Sequence, residues 1–215
     1  MDSHEVRREW AGRSGEYSPE YYSHYGPDET SETLRSILDR TVGSDAAVLE
    51  LGCSSGRHLA HLADAGYDDL TGIEINGDAF DVMTEHYPDL AATGTFYHDA
   101  IENVVEGFGD DEFDAVYSVE TLQHLHPEAE WVYAELARIA ADVLVTVEIE
   151  SEVGGSDGRA AGADDDCPDV NYVDEDVPLY YRDWGKIFTD RGLTQVDVTE
   201  GERDTIRTFR QDDAD

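Results

Sequence analysis

Gly52 and Gly56 bracket a short polar turn, Gly52-Cys53-Ser54-Ser55-Gly56, and an acid, Glu74, stands twenty-two residues after the first of them. Glycine in such a turn lets the backbone approach a ligand with no Cβ in the way. The free N–H groups of a helix that starts there would face the ligand. Strand-to-helix turns also carry glycine for steric reasons alone, so the spacing to Glu74 is what gives the pair meaning. A doubly wound nucleotide-binding fold sets an acid at that point against ribose hydroxyls. A carboxylate accepts from both hydroxyls at once, each charge-assisted bond contributing roughly 1.5–3 kcal/mol. The other reading of Glu74 is a solvated strand-end acid. The dinucleotide pattern Gly-x-Gly-x-x-Gly would need glycine at positions 54 and 57, where Ser54 and Arg57 stand. That argues against a nicotinamide cofactor.

These residues must be held by elements, and the chain supplies them in alternation. A helix is expected after Pro27-Asp28, with Leu34, Ile37, Leu38 and Val42 on one face and Gly43 as its stop. Apolar runs follow at 46–51, 70–75, 95–98, 113–119 and 143–149, separated by amphipathic patterns such as Leu59, Leu62 and Ala63, ended by Gly66. The stripe Val132, Leu136, Ile139 and Ala140 predicts another helix. Runs that lack polar alternation suit strands buried on both faces. The fold class expected is therefore α/β, a Rossmann-like doubly wound, mostly parallel sheet. A C-terminal antiparallel hairpin is expected from Leu193–Val198 and Thr205–Phe209 around Gly201-Glu202-Arg203-Asp204. Residues 1–27, with Tyr17, Tyr21, Tyr22 and Tyr25, read as an N-terminal arm or lid, and 28–215 as one ligand-binding domain. Within it, 151–170 reads as a mobile acidic loop, followed by a helix around Tyr181 to Arg191.

On this frame Val48-Leu49-Glu50-Leu51-Gly52-Cys53-Ser54-Ser55-Gly56-Arg57 resembles motif I of class I S-adenosylmethionine-dependent methyltransferases, whose usual form is acid-x-Gly-x-Gly-x-Gly. Ile73-Glu74-Ile75-Asn76 is similar to the acidic strand end that follows it, and His98-Asp99-Ala100 to the next cofactor contact. The run from Phe113 through Ser118 and Val119 to Leu125 resembles the fourth strand and its turn. The resemblance implies S-adenosylmethionine as cofactor. It implies that Glu50 orients the loop or accepts from the methionine ammonium, and that Gly52, Cys53, Ser54 and Gly56 form the turn around it. Glu74 would hold the ribose and Asp99 accept from the adenine amino group, with Ile75 and Ala100 beside them at the cofactor and Ser118 and Val119 lining the pocket. Ser54 departs from the pattern by adding a side chain where the middle glycine usually stands.

Methyl transfer asks mainly for alignment at about 3–3.5 Å, and a base helps where the acceptor carries a proton. His124, in Gln123-His124-Leu125-His126-Pro127, is the candidate base; a structural histidine at a helix start is the alternative. Tyr22 and its neighbours would close over the cofactor, or simply pack the arm; a ring over a sulfonium contributes roughly 0.5–2 kcal/mol. No Asn-Pro-Pro-Tyr element and no basic stripe is present, so a small-molecule acceptor is expected and nucleic acid is not. Aminopropyl transfer on the same fold, a cofactor-binding regulatory protein without turnover, and methyl transfer to a macromolecule are the rival readings.

The 215 residues carry 51 Asp plus Glu against 14 Lys plus Arg, a formal net charge of −37, with Lys186 the only lysine. Such self-repulsion opposes compaction and is screened at about 1 M salt, where the Debye length is roughly 3 Å. The composition resembles that of halophilic archaeal proteins. Two cysteines, Cys53 and Cys167, form neither a metal-like spacing nor a disulfide framework, and no metal is expected. With no apolar stretch of about 18 residues and no secretory signal pattern, a cytoplasmic protein is the expectation; the oligomeric state stays open.

Overall fold

In the computed structural model residues 1–150, 168–173, 177–201 and 203–211 are described. Three helices open the chain: α1 (Ser3–Ala11), α2 (Pro19–Tyr25) and α3 (Glu29–Thr41). Their starts are written in the sequence. The Asp2 side chain caps α1 in a reciprocal box with Glu5, Ser18 caps α2 ahead of Pro19, and Asp28 forms the same box with Ser31 at α3. Strands and helices then alternate: β1 (Ala47–Leu51), α4 (Arg57–Asp64), β2 (Asp69–Glu74), α5 (Asp78–His86), α6 (Pro88–Thr93), β3 (Thr95–His98) and the single turn α7 (Ile101–Val104). β4 (Phe113–Val119), α8 (Val132–Ile139) and β5 (Ala140–Glu148) complete the alternation. The remaining elements are β6 (Asp169–Val173), β7 (Val177–Tyr181), α9 (Trp184–Thr189), β8 (Leu193–Glu200) and β9 (Thr205–Gln211).

Seven strands form one sheet in the order β3-β2-β1-β4-β5-β9-β8, with β1 to β5 parallel and β9 antiparallel to both β5 and β8. The Rossmann-like class and the C-terminal hairpin stand as expected. Strand parity divides the core. Leu49, Val116 and Leu144 face Tyr133, Leu136, Trp184 and Phe188 on one side of the sheet. Val48, Ala115, Tyr117, Val143 and Val145 face Leu34, Leu38, Leu59 and Met83 on the other. Each such large apolar side chain contributes about 1.5–3 kcal/mol by leaving water. Successive residues of one strand point to opposite faces, so two helical layers are needed and both are present. The order of strands reverses between β1 and β4, which puts the ends of those two strands and of β2 around one crevice.

Three expectations need correction. Residues 169 and 170 lie in strand β6 rather than a mobile loop, paired antiparallel with β7; 151–167 lie outside the described residues. The helix expected from Tyr181 spans only Trp184–Thr189, because Asp183 caps it and Tyr181 ends the strand β7. Ala140 leaves the helical stripe and opens β5. Among the described residues no helix is long and apolar enough to cross a membrane.

Candidate functional site

The crevice at the carboxyl ends of β1, β2 and β4 is a cavity of about 190 Å³, roofed by α1 and α2. Its floor is the turn after β1. Gly52 (φ +66°) is in the left-handed region, and a Cβ there would overlap the Thr121 side chain. Ser54 is also left-handed, at φ +49°, where a side chain costs about 1 kcal/mol. The middle residue of the turn is therefore held in a glycine-like conformation although it is serine. Three of the left-handed non-glycine residues, Tyr17, Ser54 and Glu120, line this one cavity. Strain of that kind persists only where the surroundings impose it.

What imposes it at Ser54 is Glu74. The buried Glu74 carboxylate at the end of β2 accepts from the Ser54 N–H at 2.8 Å and from the Asn76 N–H at 2.7 Å, one bond to each oxygen. Burial raises its pKa, and these two backbone donors oppose the rise. Each oxygen keeps a lone pair, so a diol can still be accepted. The loop N–H groups are thus partly spent inside the protein: Cys53 N–H donates to Ile73 O at 3.0 Å. The start of α4 has no side-chain cap, and Arg57 and His58 of its first turn line the cavity.

Glu50 is buried on β1 and accepts from the Tyr117 hydroxyl at 3.1 Å. Burial pushes its pKa up to about 8. The walls include Cys53, Ile75, Ala100, Val119 and Tyr22. Arg57 lies 5.2 Å from the Tyr22 ring, donates to Gly26 O and pairs with Asp28 at 2.7 Å, tying the motif turn to the N-terminal helices. Asp99 also lines the cavity; its Oδ1 accepts from Ala100 N–H and Asn103 Nδ2, both at 2.7 Å, which leaves Oδ2 for another donor.

The remaining expected contacts are placed as follows. Gly56 does not line the cavity; its Cβ would meet Leu90 and Met83 at 2.9–3.0 Å, so this glycine allows α4 to pack on α5 and α6. Ser118 is not at the cavity surface, because its buried hydroxyl donates to Glu148 at 2.5 Å. Of the four tyrosines, Tyr17 and Tyr22 line the cavity, Tyr21 packs among the other rings and Tyr25 is exposed.

His124 does reach the cavity, in the turn after β4. Its Nδ1 lies 3.1 Å from Pro178 O, an acceptor only, so Nδ1 carries the proton and Nε2 a lone pair. Gln123 Nε2 approaches that lone pair at 3.4 Å. Burial lowers the pKa to about 4, so the ring is neutral near pH 7. Trp10 of α1 rests on it, with ring centres 4.6 Å apart. Two participants carried no motif signal in the sequence: Trp10, from a helix far from the sheet in sequence, and Glu148. Glu148 is fully buried and accepts from Ser118 Oγ and from the N–H groups of Thr121, Leu122 and Gln123 at 3.0–3.2 Å. It anchors the turn that carries His124.

Known proteins resemble this chain in sequence over part of its length and in fold. The model of the family described as "Methyltransferase domain" matches residues 48–142. The O-methyltransferase cnsE of Penicillium expansum is 28% identical over 111 residues, 49% of this chain and 40% of that protein. The chain thus spans about two fifths of this curated relative. Magnesium protoporphyrin IX methyltransferase (ChlM) from Synechocystis PCC 6803, solved with bound S-adenosylhomocysteine, superposes with a TM-score of 0.67 at 17% identity, over 98% of this chain and 100% of that one. The 1,6-didemethyltoxoflavin-N1-methyltransferase of Burkholderia thailandensis, solved with its acceptor and S-adenosylhomocysteine, gives 0.64 at 16%, over 86% and 79%.

Proposed function

Residues 48–142 belong to the methyltransferase domain family on a class I S-adenosylmethionine-dependent fold, and from that premise we propose that this chain binds S-adenosylmethionine and methylates a small molecule. The single observation that carries the reading is Glu74: a buried carboxylate locked onto the glycine-like turn, with one lone pair left on each oxygen. The cavity fits the cofactor. Gly52 leaves room for it, Glu74 would take its ribose diol and Oδ2 of Asp99 its adenine amine. Glu50 offers an acceptor for an ammonium, and the uncapped start of α4 suits a carboxylate. Ile75, Ala100 and Val119 flank the space for an adenine ring. Bound S-adenosylmethionine supplies an electrophilic methyl on a sulfonium leaving group, whose electron pair stays on sulfur as the acceptor atom bonds to carbon.

The chain's own work is placement and proton handling. His124 Nε2 accepts the acceptor's hydroxyl proton. With a pKa of about 4 it is too weak to ionise a free hydroxyl, so the proton moves late, when bonding to carbon has already acidified the oxygen. The helices α1 and α2, covering the cavity, act as the lid that excludes water. A net charge of −37 opposes a nucleic-acid substrate. The buried free thiol of Cys53 at the cofactor turn suits a reducing cytoplasm.

Calorimetry in molar KCl tests the reading: S-adenosylhomocysteine binds, NAD does not, and Glu74→Ala weakens binding by about tenfold or more. Absence of binding to S-adenosylmethionine and its product would remove the proposal. Incubation of labelled cofactor with a cell extract then identifies the acceptor, and His124→Ala lowers label transfer while leaving cofactor affinity unchanged.

A further inference from the structure

Beyond the residues assigned to the cofactor, the same cavity is lined by a second set of residues. Helix α1 turns one face toward it: Ser3, Val6, Arg7 and Trp10, at the spacing i, i+3, i+4 and i+7, all line the wall. Leu125 and His126 after β4, with Val173 of β6 and Leu179 of β7, line the same space. This space is apolar and ringed, with Trp10 on His124 and Tyr180 at the edge of His126.

Arg7 is out of keeping with it. In a chain with 51 acids, Arg35, Arg57, Arg138 and Arg207 each hold a carboxylate at 2.6–2.7 Å. Among the described residues Arg7 holds none, a state it shares with Arg203 on the same cavity, but Arg7 alone of the two stands beside Trp10 on α1: Nε donates to the Ser3 carbonyl at 3.3 Å and Nη2 meets the His4 ring at 2.9 Å. The indole N–H of Trp10 is likewise buried without a partner. A guanidinium with no acid, beside an unpaired buried donor, is what an anionic ligand would complete. Arg7 stands one helical turn from Trp10, about 5–6 Å between Cβ atoms, and the Trp10 ring packs on His124 at 4.6 Å, so a cation, an aromatic surface and an acceptor nitrogen line one cavity. Rings on the wall suit a flat aromatic ligand.

We propose that this space is the acceptor subsite and that it takes a flat aromatic hydroxy acid, its carboxylate on Arg7 and its hydroxyl at His124 Nε2. The proposal rests on the methyltransferase reading for the identity of the reacting end. Its charge recognition stands apart from that reading and can be measured alone.

The chain is titrated in molar KCl with 4-hydroxybenzoate and with its neutral amide, 4-hydroxybenzamide, with and without S-adenosylhomocysteine. At about 1 M salt only direct ion contact survives screening. The acid is expected to bind about tenfold more tightly than the amide, a charge-assisted contact's worth. In Arg7→Gln the acid falls to the amide's affinity, while the amide binds as before, which shows the subsite intact. Arg8→Gln, on the exposed side of α1, keeps the preference. Equal affinities in the unaltered chain, a preference that survives Arg7→Gln, or no binding of either compound overturns the proposal. Failure of S-adenosylhomocysteine alone to bind would overturn the cofactor reading instead, and the titration without it would still decide the role of Arg7.

Discussion

At the scale of single residues, the cofactor turn is held by charge rather than by glycine. Ser54 stays at φ +49° because its N–H is bound to Glu74. Since that bond uses the backbone, Ser54→Gly keeps it and removes the conformational cost. A gain of up to about 1 kcal/mol is expected, read as a rise in Tm, with cofactor affinity retained. Glu50 gives a pH-dependent outcome. Its folded pKa is raised to about 8 by burial, above the usual carboxylate value near 4.3. The native state therefore holds a proton that the unfolded chain releases, and stability from this group is full below about pH 4 and lost as pH rises to 8. The slope is about 1.4 kcal/mol per pH unit at most. Glu50→Gln keeps an acceptor for Tyr117 and carries no charge. Its Tm, compared with that of the unaltered chain, should improve progressively between pH 5 and 8; parallel curves would show that Glu50 does not titrate there.

At the scale of elements, the turn after β4 depends on a partner from the next strand. Glu148, at the end of β5, receives three successive backbone N–H groups and the Ser118 hydroxyl. Glu148→Ala leaves those buried donors unmatched and should cost about 3 kcal/mol or more in denaturant unfolding. Glu148→Gln keeps one oxygen, and its amide group opposes only the Gln123 N–H, so its loss is expected to be clearly smaller. Legibility divides at this level too. The helix after Asp28 was legible by local chemistry and the apolar runs of β1, β4 and β5 by composition, whereas α1 and α2, capped by Asp2 and Ser18, were read only as an arm. The β6–β7 hairpin was missed because its strands follow a stretch of acids and glycines. β6 is mostly exposed, while β7 buries Val177 to Tyr180 against the rest of the molecule. Only that burial separates it from a helical start.

At the scale of the whole molecule, charge sets the conditions. With a net charge of −37, thermal unfolding should move to higher temperature as KCl is raised toward molar concentrations, where repulsion is screened to roughly 3 Å. A Tm independent of KCl would show that the compact state does not need screening. The sequence alone determined the layered architecture and one half of the site: the buried apolar runs, the helix start at Asp28, the turn from Gly52 and its spacing to Glu74 are local patterns, readable without contacts. Tertiary structure decided the other half. It drew Ser118 away to Glu148 and assigned Gly56 to helix packing. It also brought Trp10 from the N-terminal helix onto His124 and Arg7 to the same cavity wall. Those choices depend on which surfaces meet, and residues from some thirty to more than a hundred positions apart carry no periodic signal of meeting. The glycine turn was legible because it is one short segment, and the acceptor wall was not because it is assembled from three.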